Sequence, residues 1–231
     1  MIVAIDGPAG SGKSSVSKKV ASMLNFLYID TGAMYRALTF YAIKNNIDIN
    51  NEKALELAAK EIKIDFLPLS PSLDGRGVGE GEQYTQKVLL NEMDVTIDIR
   101  TPLVNQYVSP VSAYPSVREI MVKHQRELAQ THKNVILEGR DIGTVVFPYA
   151  EKKFFLIASL EERAKRRLKE QLERGFNLNL EDVKKELASR DEYDSTRKVA
   201  PLKPAADAII IDTTDLTFDQ VVKKIVSLCE A

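Results

Sequence analysis

The sequence predicts an α/β fold with a central parallel sheet flanked by helices, because short apolar runs alternate with helical stripes and a glycine-rich turn fills the first junction. The runs are Ile2 to Ile5, Phe26 to Ile29, Val135 to Leu137, Phe154 to Ile157 and Ala208 to Ile211. Near-continuous apolar character over so few residues suits strands buried on both faces of a parallel sheet. Val16, Val20, Met23 and Leu24 form one apolar stripe at helical spacing, and Val221, Val222, Ile225 and Leu228 form another. Their alternation defines a doubly wound layer structure.

Two stretches interrupt the alternation. Between about residues 46 and 115, Ile62, Ile64 and Phe66 alternate with polar residues, and a run from Val88 leads through Asn91-Glu92-Met93-Asp94 to Val95, Ile97 and Ile99. This pattern predicts a small antiparallel sheet inserted into the core fold. Gly75, Gly77, Gly79 and Gly81 crowd one loop there, without the strand, helix or Lys-Ser that a second phosphate loop requires. From Ser159 to about Arg197 the chain predicts a basic helical hairpin. Ser159 and Glu162 form a capping box, Arg174 and Gly175 end the first helix, and Asn179 caps a second that reaches about Arg190. The organisation expected is a core from residues 1–45 and 116–231, an insertion at 46–115 and a lid at about 159–197.

Composition narrows the function classes. Lys+Arg 32 against Asp+Glu 33 leaves a net charge of -1, so no global field attracts nucleic acid or an anionic membrane. The 44% hydrophobic and 28% charged content is that of a soluble globular protein. One cysteine, Cys229, and two histidines, His124 and His132, supply neither a disulfide nor a zinc set. Cys229 falls on the last helical stripe as a packing residue, and the histidines sit in polar surroundings. With no signal-like start and no long apolar run, a cytoplasmic location is expected.

Gly7-Pro8-Ala9-Gly10-Ser11-Gly12-Lys13-Ser14 matches G-x-x-x-x-G-K-[ST] at every specified position, between a predicted strand and a predicted helix. Glycines let backbone N–H groups converge on phosphate oxygens, Lys13 can bridge β- and γ-phosphates, and Ser14 can ligate Mg²⁺. Residues 7 to 15, through Ser15, are therefore the expected ATP cradle. The chain carries neither a guanine-reading N-K-x-D tetrad nor the aromatic stripe of a strand-tracking ATPase. A kinase also needs a second anion site, and Arg36 and Arg140 follow the second and third predicted strands, where loops line the ligand crevice. Asp30 could orient a water on Mg²⁺ or simply form a turn.

The stretches GPAGSGKSS, DTGAMYR, DVTIDIRTPLVNQYVS, YPSVREIMVKHQR, EGRDIGTVVFP and SRDEYDSTRKVAPLKPAADA span most of the chain. Together they make the sequence resemble the bacterial cytidylate kinases. The resemblance implies a P-loop kinase fold with an inserted α+β subdomain for the nucleoside monophosphate and a helical lid. It implies that Ser109, Arg118 and Asp141 read the cytosine edge, that Thr31, Arg190 and Asp194 help hold the nucleoside, that Arg36, Arg140 and Arg197 bind phosphate, and that Tyr35 belongs to the substrate-binding set. Thr31 stands where some members carry serine and keeps the hydroxyl.

Cytosine offers an amino donor with O2 and N3 acceptors, so a carboxylate or hydroxyl facing N4 and an arginine facing O2 and N3 would favour it over uracil. The activity expected is transfer of the γ-phosphate of ATP to CMP and dCMP, with Lys13, Arg36, Arg140, Arg190 and Arg197 carrying the chemistry. A monomer acting on small molecules, without nucleic acid or membrane partners, is expected. Arg163, Arg166, Arg167 and Arg174 are lid candidates for contact with ATP. Two alternatives stay open: a kinase of UMP, AMP or another small acceptor, and a nucleotide-gated binding module.

Overall fold

The computed structural model describes residues 1–67, 70–71, 84–173, 175 and 178–231. The glycine-crowded loop at 74–81 and Arg174 lie outside the described residues. In chain order the elements are β1 (Ile2–Asp6), α1 (Lys13–Leu24), β2 (Leu27–Asp30), α2 (Thr31–Lys44), α3 (Glu52–Glu61), β3 (Ile64–Phe66), β4 (Ser70–Pro71), β5 (Tyr84–Thr85), β6 (Val88–Leu90) and β7 (Met93–Asp94). A 3-10 turn at Asp98–Arg100 precedes α4 (Pro102–Ala113), α5 (Pro115–Gln130) and β8 (Val135–Gly139). A π-helical turn at Ile142–Val146 then leads to β9 (Lys152–Ile157), α6 (Leu160–Glu173), α7 (Leu180–Thr196), β10 (Ile209–Asp212) and α8 (Phe218–Glu230).

The five strands expected of the core pair in parallel in the order β10-β9-β1-β8-β2. β1 is central, and four of its five residues are buried, as its unbroken apolar run requires. Strand order reverses beside β1, which puts the crevice at the C-terminal ends of β1, β8, β9 and β2. One face of the sheet packs Val16, Val20, Ile225 and Cys229 against Ile5 and Phe154, and the other packs Met34, Leu38 and Met121 against Ile29 and Leu137. Met23, placed on the α1 stripe by spacing, is half exposed, because the apolar arc closes with Val20 and Ala21 instead.

The antiparallel sheet expected in the insertion is present in the order β3-β6-β7. Asn91 and Glu92 both take positive φ, 47° and 68°, the pairing that a two-residue hairpin needs. The strand predicted to run on to Ile99 stops at Asp94, whose Oδ1 accepts Thr96 N–H at 3.0 Å and Thr96 Oγ1–H at 2.6 Å. That local bonding turns the chain into the 3-10 segment. It buries Ile99 and leaves Ile97 in solvent.

The basic hairpin also forms, with two differences. The capping box at Ser159 is only half made: Glu162 N–H donates to Ser159 Oγ at 3.2 Å, but Glu162 Oε1 accepts from Arg166 and Ser159 N–H donates to Thr214. Asn179 caps α7 as expected, accepting Asp182 N–H at 2.9 Å. The helix then continues past Arg190 to Thr196, since no glycine or proline interrupts it. The extra turn and a half brings Arg190, Asp194 and Arg197 onto one face at i, i+4 and i+7.

Candidate active site

The turn after β1 is shaped by glycine. Gly10 and Gly12 have φ of +77° and +86°, in the left-handed region that side chains avoid. At Gly7 the limit is contact, because a Cβ would lie 2.1 Å from the carbonyl oxygen of Leu156 in β9. Gly7→Ala is therefore expected to lower the unfolding free energy by about 1–3 kcal/mol, the usual cost of overpacking, in urea titration. Gly12 starts α1 without a side-chain cap, which leaves the first N–H groups of the helix directed into the turn.

Lys13 curls back so that Nζ donates to the Pro8 carbonyl at 2.7 Å. Burial pushes its ammonium down to about 7, helped by the nearby Arg140 guanidinium and opposed by Glu138. Ser14 Oγ donates to Glu138 Oε1 at 2.7 Å. Glu138, next to last in β8, is buried, and that burial raises its carboxyl above the usual range. Thr31 Oγ1 donates to the Glu138 carbonyl at 2.6 Å, and Asp30 Oδ1 caps α2 by accepting Ala33 N–H at 2.9 Å. Asp30 also pairs through Oδ2 with Arg100 at 3.3 Å.

Across the cleft, cations and carboxylates interlock. Arg140 Nε donates to Asp194 Oδ2 at 2.9 Å. Asp141 accepts from Arg118 through Oδ2 and lies 3.5 Å from Arg197 Nη2 through Oδ1. Arg118 also donates to the Ser112 carbonyl at 3.0 Å and sits 5.5 Å over the Tyr35 ring. Burial opposes the Asp194 charge, but Arg140 and Arg190 outweigh it and hold the carboxyl below its usual value. Arg36, hydrogen-bonded to Asn105, is pushed down to about 9 by burial and by Arg190, and Arg190 down to about 10 by burial and by Arg140. Burial is the larger cause of both shifts, and the crowding of like charges adds to it.

A cleft of 820 Å³ is lined by Ala9 through Ser15 of the phosphate loop together with Thr31, Tyr35, Arg36, Ser109, Arg118, Arg140, Asp141, Arg190, Asp194 and Arg197. The sequence-predicted residues thus share one space, except Gly7 and Pro8, which shape the turn from behind. Arg36 is not on a loop, as its place after a strand suggested. It projects from the second turn of α2, because Asp30 caps that helix immediately.

The arginines expected of a lid separate by position. Arg166 and Arg167 line the cleft, and Arg166 is tied to Thr213 by bonds of 3.0 and 2.7 Å. Arg163 is instead a buried pin, donating to the Ala9 carbonyl at 3.1 Å and pairing with Asp191 at 2.6 Å. Sequence reasoning missed Arg100, Glu138 and Thr213 as cleft residues. Arg100 and Glu138 stand inside DVTIDIRTP and EGRDIG, so motif membership was the available signal, whereas Thr213 stands outside every motif. His132 is exposed and Cys229 is buried in the core behind β1, in keeping with the roles expected of them.

A parallel sheet with a phosphate loop after its central strand, facing an arginine cluster across one cleft, defines a P-loop kinase. A family model described as cytidylate kinase matches residues 3–231. The chain is 49% identical over 226 residues to a cytidylate kinase of Bacillus cereus, covering 98% of this chain and 94% of that one. It is 50% identical over 228 residues to one from Anoxybacillus flavithermus, covering 99% and 95%. With one from Bacillus licheniformis it shares 48% over 230 residues, covering 100% and 96%. The chain belongs to the cytidylate kinase family. It is an ATP-dependent phosphotransferase with small-molecule substrates. No described helix is long and apolar enough to cross a membrane.

Proposed function

We propose that this chain transfers the γ-phosphate of ATP to CMP and dCMP, with residues 7 to 15 cradling the donor and the arginines across the cleft gripping the acceptor. The observation that carries this reading is that Lys13, Arg36, Arg140 and Arg190 line one cleft with more positive charge than its carboxylates balance. Two phosphate-bearing ligands supply the missing anions. The segment 46–115, which contributes Ser109, Arg100 and Asn105, serves as the acceptor subdomain, and 159–197 serves as the lid.

An α-phosphate oxygen of CMP attacks the γ-phosphorus, and the bond from that phosphorus to the β–γ bridging oxygen breaks, leaving ADP and CDP. The attacking oxygen is already anionic, so no strong base is needed, and positioning with charge neutralisation supplies the catalysis. Lys13 leaves the Pro8 carbonyl to meet the donor phosphates. Arg36, Arg140, Arg190 and Arg197 hold the acceptor phosphate, while Ser109, Arg118 and Asp141 face the base and Thr31, Tyr35 and Asp194 the nucleoside. The Ser14 hydroxyl and the buried Glu138 carboxylate, whose Oε2 has no hydrogen-bond partner, are a donor set that fits Mg²⁺. Ser14 and Glu138 would hold the ion, which would supply charge neutralisation for the donor phosphates. A cytoplasmic monomer without nucleic acid or membrane partners completes the reading, supported by the net charge of -1.

Proton linkage follows from Lys13. Burial pushes its ammonium down to about 7, and a bound triphosphate favours the charged form. At about pH 8, binding of a non-hydrolysable ATP analogue should take up a large fraction of one proton, and affinity should fall as pH rises further. Calorimetry in two buffers of different ionisation enthalpy measures this uptake; absence of uptake contradicts the role given to Lys13. The activity itself is tested by ADP release with CMP, dCMP, UMP and AMP in turn. Turnover with CMP and dCMP well above UMP and AMP supports the proposal. ADP release independent of any acceptor favours a nucleotide-gated module.

A further inference from the structure

Asp6 is the last residue of β1 and precedes the first glycine of the phosphate loop, yet no step of the transfer uses it. It is 4% exposed, and its carboxylate is committed wholly to backbone. Oδ1 accepts the Ile142 N–H at 2.9 Å and Oδ2 accepts the Gly143 N–H at 2.8 Å. These are the first two residues of the π-helical turn, so an anion sits on successive free N–H groups at a helix start.

On the other side of Arg140 and Asp141, Gly139 stands opposite Asp6 itself in the β1–β8 register. The dipeptide Arg140-Asp141 is therefore a two-residue bridge, held at one end by the ladder beside Asp6 and at the other by the Asp6 carboxylate. We propose that Asp6 is a positioning residue for acceptor recognition, clamping Ile142 and Gly143 so that Arg140 and Asp141 project at a fixed place relative to the phosphate loop beginning at Gly7. This rests on the acceptor role proposed above for Arg140 and Asp141.

The alternative of plain structural filling fits the chemistry poorly. Burial pushes the Asp6 carboxyl up to about 6, and Asp141 adds like-charge repulsion that Lys13 only partly offsets. The third charged neighbour, Lys153, runs its stem beside Gly143 but places its ammonium on Asp207. A neutral side chain would avoid that cost. Only a carboxylate offers two acceptors to two adjacent N–H groups; asparagine would turn an NH₂ donor against one of them.

The test is Asp6→Asn, with KM for CMP and direct binding of a non-hydrolysable ATP analogue measured separately. The clamp predicts that KM for CMP rises about tenfold or more while ATP-analogue affinity changes by less than about twofold, since misplacement of a positioning loop is costly to the ligand it serves. Equal losses for both ligands, or an unchanged KM for CMP, overturn it. Should Asp6→Asn not fold, Gly143→Ala replaces it, because the added methyl meets Lys153 Cδ at 3.3 Å and Asp6 Oδ2 at 3.5 Å and crowds the clamp without breaking the backbone. The same selective rise in KM for CMP is expected, and unchanged or equal effects overturn the proposal. Wild-type protein that does not phosphorylate CMP at all would defeat the proposed activity instead. The clamp is then read without turnover, from the amide proton shifts of Ile142 and Gly143. A common titration of both with a midpoint near 6 supports the clamp, and flat shifts contradict it.

Discussion

Lys13→Ala should reduce kcat by about 10²–10³-fold or more, the loss seen when one preorganised charge partner of a transition state is removed. The fold should survive it. Lys13 is buried beside Arg140 and Arg190, and its depressed ammonium shows that the folded state holds this charge unwillingly. Among the described residues its ammonium makes one hydrogen bond, to Pro8 O at 2.7 Å. Removing the ammonium therefore relieves repulsion as much as it removes bonding, and the urea midpoint should stay close to wild type. Near-normal turnover in the variant would refute the phosphate-loop mechanism, and a collapsed midpoint would refute the charge argument.

Asp141→Ala should have the opposite profile, losing stability and selectivity together. Asp141 is the shared carboxylate of two guanidinium groups, Arg118 and Arg197, and all three side chains are less than one-tenth exposed. Deleting one partner of a buried ionic cluster leaves uncompensated charge, at a cost of about 3–5 kcal/mol. In the remaining folded protein the preference for CMP over UMP should fall by about tenfold or more, since an unpaired buried polar group costs about 1–3 kcal/mol. Asp141→Asn separates the two effects, because it keeps the shape and one acceptor. Denaturant titration and the ratio of kcat/KM for CMP and UMP measure them, and an unaltered ratio in both variants would remove Asp141 from base recognition.

Much of this was legible in the sequence for physical reasons that differ by region. The inner strands β1, β8 and β9 could be read because parallel strands buried on both faces must be apolar along their whole length, whereas the edge strand β10 is as apolar in sequence yet leaves Ile209 and Ile210 exposed. The phosphate loop could be read because both glycines the motif specifies answer to geometry: a Cβ at Gly7 would meet the Leu156 carbonyl, and Gly12 takes a φ of +86°. What periodicity could not foresee was decided by side chains bonding to nearby backbone. Asp94 ended a strand through Thr96, and Asp30 turned a supposed crevice loop into the first turn of α2.

The site divided similarly. Lys13 and Ser14 are fixed by a motif, whereas the acceptor-side roles came only with the family resemblance, since an isolated arginine looks the same on a surface as in a cleft. Spacing did not foretell that Arg163 would be pinned to Ala9 and Asp191, because that depends on how α6 packs on the phosphate loop. Nor did it foretell Arg100, whose cleft position follows from the 3-10 turn that replaced the expected strand.

The central claim is that two phosphate-bearing ligands lie end to end, one at Lys13 and one among the arginines across the cleft. Titration with a bisubstrate analogue, cytidine and adenosine joined through a pentaphosphate, tests it most directly. The account predicts one analogue per chain, an affinity exceeding that of ATP and CMP separately because linking makes the second contact intramolecular, and weakening by Lys13→Ala and by Arg36→Ala alike. Binding no tighter than ATP alone, and indifferent to Arg36, would contradict it.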